Sequence, residues 1–323
     1  MRWLVTGAGG FVGRALVRRL LAQGLPGGPA LTQLLVTDRS LGEQPGDPRL
    51  TRLPGDLTDP RTWAAAFAQP LQGIVHLASV PGGACEAQPA LGRAVNLDAT
   101  QALLDHGRVQ AEGGGGAVRF VFASTIGVYP LVLPPLVDDE TPAQPHMLYG
   151  LHKLSGELAV AHASRRGWID GLSLRLPGIL ARPPERTGQL SAFMSDFVRE
   201  LAAGHAFECP TSPTATIWAS SLWGVLDNLL HAATVDTARL PSSRSLLLPT
   251  LRLGMAELAE AIGRVYGVPA STLVRWAPDE RIEALFGRYP PLRTALAEGA
   301  GFTSDGNADT LARRALCGPD VPV

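Results

Sequence analysis

The sequence predicts an α/β chain, a doubly wound parallel sheet followed by a smaller, mostly helical C-terminal domain. Three observations carry that expectation. Short apolar strands alternate with amphipathic helices through the first half of the chain. A glycine-spaced turn joins the first strand to the first helix. After Pro177 the alternation gives way to helices separated by proline- and glycine-rich loops.

The elements follow in order. Trp3-Leu4-Val5 is an apolar strand, and beyond the glycine turn Ala15, Leu16, Leu20 and Leu21 recur at helical spacing. Residues 34–37 read as a second strand closing on Asp38, and 49–53 as a third. Pro60 falls in the first turn of the next helix, where a missing N–H does no harm. Gly73-Ile74-Val75-His76-Leu77-Ala78 is a fourth strand. A helix is expected over 85–109, with Val95, Ala99, Ala102 and Leu103 on one face. Residues 118–123 and 171–176 are the fifth and sixth strands, with a helix over 149–165 between them. Further helices are expected over 190–203, 220–233, 255–266, 279–286 and 309–316.

Composition narrows the class. At 323 residues the chain has room for two domains of roughly 150 residues each. Hydrophobic residues make up 46%, which excludes disorder, and only 18% are charged, as expected where parallel strands are covered on both faces. A formal charge of −1 leaves no nucleic-acid footprint. Cys85, Cys209 and Cys317 are too scattered for a disulfide framework or a zinc site, so no metal is expected, and they suit a reducing cytoplasm. The opening MRWLVTGAGG lacks the apolar run of a signal peptide. The uncharged stretch 120–137 contains Gly127, Pro130, Pro134 and Pro135, so it reads as a buried strand running into a loop, not a membrane span.

Gly7-x-x-Gly10-x-x-Gly13 lies directly between strand and helix. Gly7 permits the tight turn, Gly10 lets a pyrophosphate approach the backbone, and Gly13 lets helix and strand pack closely. The helix N-terminus adds amide donors and partial positive charge. These are the parts of a Rossmann dinucleotide cradle, although an ordinary βα turn can share the spacing. Asp38 ends the second strand, where a carboxylate accepts bonds from ribose hydroxyls and repels a 2′-phosphate. NAD is therefore the expected cofactor, with NADP left open by Arg39. Asp56 either meets the adenine amine or caps the next helix.

Of the 28 basic residues, 27 are arginine and one is Lys153. Compositional bias alone leaves such a survivor anywhere, but this one stands four residues after Tyr149, one helical turn along the same face. An ammonium near a phenol favours the phenolate and makes a general base. Thr125, following Ser124 at the end of the fifth strand, offers a hydroxyl to a substrate oxygen. The plain alternative is a surface Tyr–Lys pair.

Thr6-Gly7-x-x-Gly10-x-x-Gly13, Asp56-Leu57, His76-Leu77-Ala78, Asn96, Ser124-Thr125 and Tyr149-x-x-x-Lys153 together resemble the extended short-chain dehydrogenase/reductases, the NAD-dependent epimerase/dehydratase family, over nearly the whole chain. Finer segments resemble its D-erythronate dehydrogenase branch: Ser79 with Gly82-Gly83-Ala84, residues 166–171 and 174–177, Ala181-Arg182-Pro183, Cys209-Pro210 and Ile217-Trp218. The resemblance implies NAD-dependent oxidation of a hydroxyl on a small sugar acid. It implies a Rossmann domain over 1–177 with a returning segment at about 210–240, and a substrate domain over 178–209 and 241–323. It also implies that Phe11, Val12, Leu57, Leu77, Ala78 and Asn96 help to hold NAD beside Tyr149 and Lys153. Pro177 and Ile179 would abut the nicotinamide carboxamide. A homodimer is implied, paired through the helices at about 85–109 and 147–165.

The chain departs from the family's pattern in places. Tyr129-Pro130 replaces the usual aromatic-glycine, and the proton-shuttle hydroxyl four residues before that aromatic is Thr125, with Ser124 beside it. Pro183-Pro184-Glu185-Arg186 does not match the branch's loop. Sugar-nucleotide epimerases carry Arg-x-x-Asn after the sixth strand, whereas Arg175 is followed by Leu176, Pro177 and Gly178. Dehydratases place Asp-Glu beside the catalytic threonine, where this chain has Ile126-Gly127. Both absences favour a plain dehydrogenase over an NDP-sugar epimerase or reductase, and a catalytically inactive NAD-sensing module has no need of Tyr149 and Lys153. A small acid needs a cation. Arg182 is the candidate for a two-pronged carboxylate contact, or else a domain-packing arginine. Ser79, Gly82 and Gly83 either shape the pocket beside the nicotinamide or form a loop turn, and Trp218 either lines a wall or belongs to the core.

Overall fold

Runs of leucine, valine and phenylalanine become strands here because helices cover them on both sides. A computed structural model describes residues 1–184 and 190–317. The strands are β1 (Arg2–Thr6), β2 (Gln33–Thr37), β3 (Leu50–Arg52), β4 (Gly73–His76), β5 (Val118–Thr125), β6 (Ile169–Leu176), β7 (Gly178–Ile179), β8 (Phe207–Cys209), β9 (Thr216–Ser220), β10 (Ser245–Leu247), β11 (Leu251–Gly254) and β12 (Val274–Trp276). The helices are α1 (Phe11–Gln23), α2 (Pro60–Ala66), α3 (Gly82–Ala87), α4 (Pro89–Arg93), α5 (Ala99–Glu112), α6 (Leu148–Arg165), α7 (Phe193–Ala202), α8 (Leu222–Ala232), α9 (Met255–Tyr266), α10 (Ala270–Leu273), α11 (Glu280–Phe286), α12 (Ala295–Gly299) and α13 (Ala308–Leu316).

The chain divides into two units. The first comprises Met1–Tyr129, Ala143–Arg175 and Asn228–Leu246; the second comprises the described residues of Pro130–Pro142, Leu176–Asp227 and Leu247–Val323. The first unit is built on a seven-stranded sheet of order β10-β6-β5-β4-β1-β2-β3. With β1 inside and the chain winding outward both ways, this is the doubly wound Rossmann order. β1 pairs in parallel with β2 and β4, so Thr6, Thr37 and His76 end in line. The loops that follow them, with the one after β5, therefore leave the same edge of the sheet. Leu4, Leu35, Ile74, Phe120 and Phe122 pack with Leu103, Leu104 and Val160 in one core. Each such buried side chain contributes roughly 1.5–3 kcal/mol.

One expected helix is broken. The stretch read as a single helix over 85–109 is α3, then α4 from Pro89, a wide π turn over Ala94–Asp98, and α5. Pro89 has no N–H to continue α3, but it suits the first turn of a new helix.

The second unit holds a three-stranded sheet, order β11-β9-β7, and a β12–β8 pair. Phe197 and Leu201 of α7, Leu258 and Ile262 of α9 and Leu311 of α13 share its core. Its short strands, like β10, were not expected from the sequence, because a run of two to five residues barely shows a period of two. Among the described residues, no helix is long and apolar enough to cross a membrane. No group of three His, Cys, Asp or Glu residues among them could hold a metal ion.

Candidate active site

The turn between β1 and α1 is shaped by the absence of side chains. Gly7 has φ +70°, and a Cβ there would lie 2.6 Å from the Ala78 nitrogen; a Cβ on Gly13 would lie 2.1 Å from the Gly7 carbonyl oxygen. Gly10 closes the turn by donating its N–H to Gly7 at 3.1 Å. Phe11 and Val12 open α1, which has neither a side-chain cap nor an acidic residue in its first turn. Its partial positive charge is thus left to an anion. Asp38, at the end of β2, accepts the Gly9 N–H at 3.0 Å. A cradle that a Cβ would fill, an uncapped helix start and a carboxylate beside the turn fit the pyrophosphate and ribose of a dinucleotide.

Other expected cofactor residues act on the backbone. Asp56 accepts from the Thr58 N–H at 2.9 Å and the Thr58 hydroxyl at 2.8 Å, bonds that lower its pKa, and so shapes the turn ahead of α2. Leu57 is buried beside it in the core. Asn96 is buried in the π turn and grips Val80, accepting its N–H at 2.7 Å and donating to its carbonyl at 3.0 Å. It thereby fixes the half-buried loop Leu77-Ala78-Ser79. Gly82 and Gly83 form the first turn of α3.

Tyr149 and Lys153 share a face of α6. Lys153 is only 2% exposed. Its Nζ donates to the Ala123 carbonyl at 2.7 Å and lies 4.7 Å from the Phe122 ring centre and 5.9 Å from that of Tyr149. Burial lowers its pKa to about 7, against the opposing pull of the Glu157 carboxylate. Thr125 is half-buried at the end of β5, and its Oγ1 accepts the Gly127 N–H at 3.0 Å. That bond uses a lone pair and not the hydroxyl proton. Ser124 points to the opposite face, as neighbours in a strand do. It is buried and donates its hydroxyl to Glu157 Oε1 at 2.5 Å.

Two carboxylates at this site went unnoticed in the sequence. Glu157 stands one turn beyond Lys153, a spacing that was available to read. Glu86 of α3 accepts the Leu148 N–H at 2.6 Å, at the start of α6, where Met147 gives no side-chain cap. No local pattern reveals a cap supplied from so far along the chain.

The remaining site candidates belong to the second unit. Pro177 is buried, and Ile179 lies in β7 opposite Ser220 of β9. Ala181 is left-handed at φ +55°, and half-buried Arg182 follows it, its carbonyl accepting from the Arg199 guanidinium of α7. Glu185 and Arg186 lie outside the described residues. Trp218 is 2% exposed, donates to the Pro290 carbonyl at 2.8 Å and packs 4.9 Å from the Tyr289 ring, a core position in β9.

A doubly wound sheet with a glycine cradle after β1 and a Tyr–Lys pair on α6 fits a dinucleotide-dependent enzyme. The model of the NAD dependent epimerase/dehydratase family matches residues 3–222. The D-erythronate dehydrogenase of Cupriavidus necator is 36% identical over 318 residues, covering 97% of each chain. That of Haemophilus influenzae is 29% identical, covering 95% of this chain and 96% of its own. A solved structure described as the nucleoside-diphosphate-sugar epimerase from Agrobacterium tumefaciens superposes with a TM-score of 0.90 at 30% identity, covering 97% of this chain and 92% of its own. The chain belongs to the NAD-dependent epimerase/dehydratase family, as an NAD-dependent dehydrogenase of the extended short-chain dehydrogenase/reductase type.

Proposed function

We propose that the protein oxidises a hydroxyl group of a small, D-erythronate-like sugar acid to the keto acid. The observation that carries this reading is the 36% identity to a D-erythronate dehydrogenase along 97% of both chains, which extends through the second unit as well as the first. Bound NAD supplies the hydride acceptor. Tyr149, as phenolate, takes the hydroxyl proton, and Thr125 orients the same oxygen. Lys153 stabilises the phenolate and holds the nicotinamide ribose. Arg182 is the cation proposed for the acid's carboxylate. The missing asparagine after β6 argues against a sugar nucleotide as substrate. One observation favours that second reading, the likeness to a structure described as a nucleoside-diphosphate-sugar epimerase.

The test is a panel of small sugar acids and sugar nucleotides with NAD, followed by the absorbance of NADH. Turnover of the acids is expected, and turnover of UDP-sugars without acids would overturn the reading. We also propose a homodimer formed through α5 and α6, where Val109 (60%), Leu151 (48%) and Leu158 (65%) are exposed. Light scattering at micromolar concentration should give twice the chain mass.

A further inference from the structure

Glu157 is a buried carboxylate that the reaction above does not use. It stands on α6 one turn past Lys153 and two past Tyr149, with its side chain 3% exposed. Arg175 of β6 grips it through Nε at 3.0 Å and Nη2 at 2.8 Å. The other bonds of this pair reach the segment that carries Thr125. Ser124, just before it, donates to Glu157 at 2.5 Å. Tyr129, just after the 3₁₀ turn Ile126–Val128, accepts from Arg175 Nη1 at 3.0 Å through its hydroxyl. One ion pair thus ties both ends of segment 124–129 to the helix of Tyr149 and Lys153.

A buried ion pair adds little net stability, because desolvation offsets the attraction. Reacting groups, in contrast, must be held to a fraction of an ångström. We propose that Arg175 and Glu157 are positioning residues that fix Thr125 on β5 relative to Tyr149 and Lys153 on α6 and keep the Lys153 ammonium charged. The proposal rests on the roles given to Thr125 and Tyr149 above. Lys153 faces Glu157 and Tyr149 on α6 and His76 on β4, with Arg175 of β6 behind Glu157. Burial keeps His76 neutral, at a pKa of about 3, so Glu157 supplies the negative charge that opposes deprotonation of the lysine.

The test replaces the pair by apolar residues, Glu157→Leu with Arg175→Met, and separately cuts one tether with Tyr129→Phe. The double variant is expected to keep the wild-type Tm, since apolar replacement of a buried pair is commonly neutral. It should nonetheless lose kcat by about tenfold to a hundredfold, with KM for the acid little changed. If it fails to fold, Tyr129→Phe carries the test, with kcat lowered about threefold to tenfold at unchanged Tm. Wild-type kcat in a folded double variant, or in Tyr129→Phe, overturns the proposal. A second readout needs no substrate. The near-ultraviolet titration of Tyr149, taken as the difference from Tyr149→Phe, should move to higher pH in the double variant, or for an unfolded one in Glu157→Gln. An unmoved titration overturns the proposal. A wild type that oxidises no sugar acid refutes the functional reading, and the titration still decides this one.

Discussion

Both units bury a carboxylate against an arginine and a serine. In the first, Glu157 takes bonds from Arg175 and the Ser124 hydroxyl. In the second, Asp305 takes them from Arg314 at 3.0 Å, the Ser221 hydroxyl at 2.6 Å and the Ser221 N–H at 2.8 Å. The chemistry is nearly the same, and the neighbours differ. Ser221 precedes α8 and Arg314 lies on α13, so Asp305 joins two framework helices. Ser124 precedes Thr125, and Glu157 shares a helix with Tyr149 and Lys153. A buried charge alone does not mark a site; the groups it holds in place do.

The largest expected effect separates the two units by rate. Tyr149→Phe should lower kcat by about 10²- to 10⁴-fold, the usual cost of a lost general base. Lys153→Arg should fall comparably, because a planar fork cannot replace a compact ammonium between Phe122 and the Ala123 carbonyl. Steady-state NADH formation reads both, and near-normal turnover in either would break the contrast. Asp305→Ala, by comparison, should cost about 1–3 kcal/mol of stability by leaving the buried Ser221 N–H and hydroxyl without their acceptor, Arg314 keeping Asp227 as its other partner. Denaturant unfolding measures that loss, while the folded fraction keeps its kcat.

Smaller effects sharpen the picture. Arg182→Ala should raise KM for the acid about tenfold to a hundredfold, the scale of a charged hydrogen bond, and change it less for the uncharged lactone. An unchanged KM removes Arg182 as the anchor. Glu86→Ala should lower Tm by about 2–4 °C, the scale of a lost helix cap. Thermal melts that match the wild type would remove Glu86 from the support of α6.

The first unit was the more legible in the sequence. Its strands are apolar and separated by helices, and its glycines fall where backbone must approach backbone, as the close contacts of Gly7 and Gly13 show. Tyr149 and Lys153 stood out because lysine occurs once in the chain. Less visible was what polar residues do once folded. Asn96 grips Val80 and Asp56 grips Thr58, bonds that depend on tertiary geometry or on turn shape. The helix drawn over 85–109 ran through Pro89 because its apolar face continued on either side. In the second unit, strands as short as β7 leave no periodic trace, and Trp218 reads equally as wall or core until Pro290 and Tyr289 are seen around it.

The central claim is that the Tyr149 phenolate takes the substrate's proton. The most direct measurement is single-turnover NADH formation at saturating acid, followed across pH in the wild type and in Tyr149→Phe. Because oxidation needs the base deprotonated, the wild-type rate should rise with pH through one ionisation to a plateau. Tyr149→Phe should lose both the rate and that ionisation. The same rising limb in Tyr149→Phe, at whatever rate, would contradict the account.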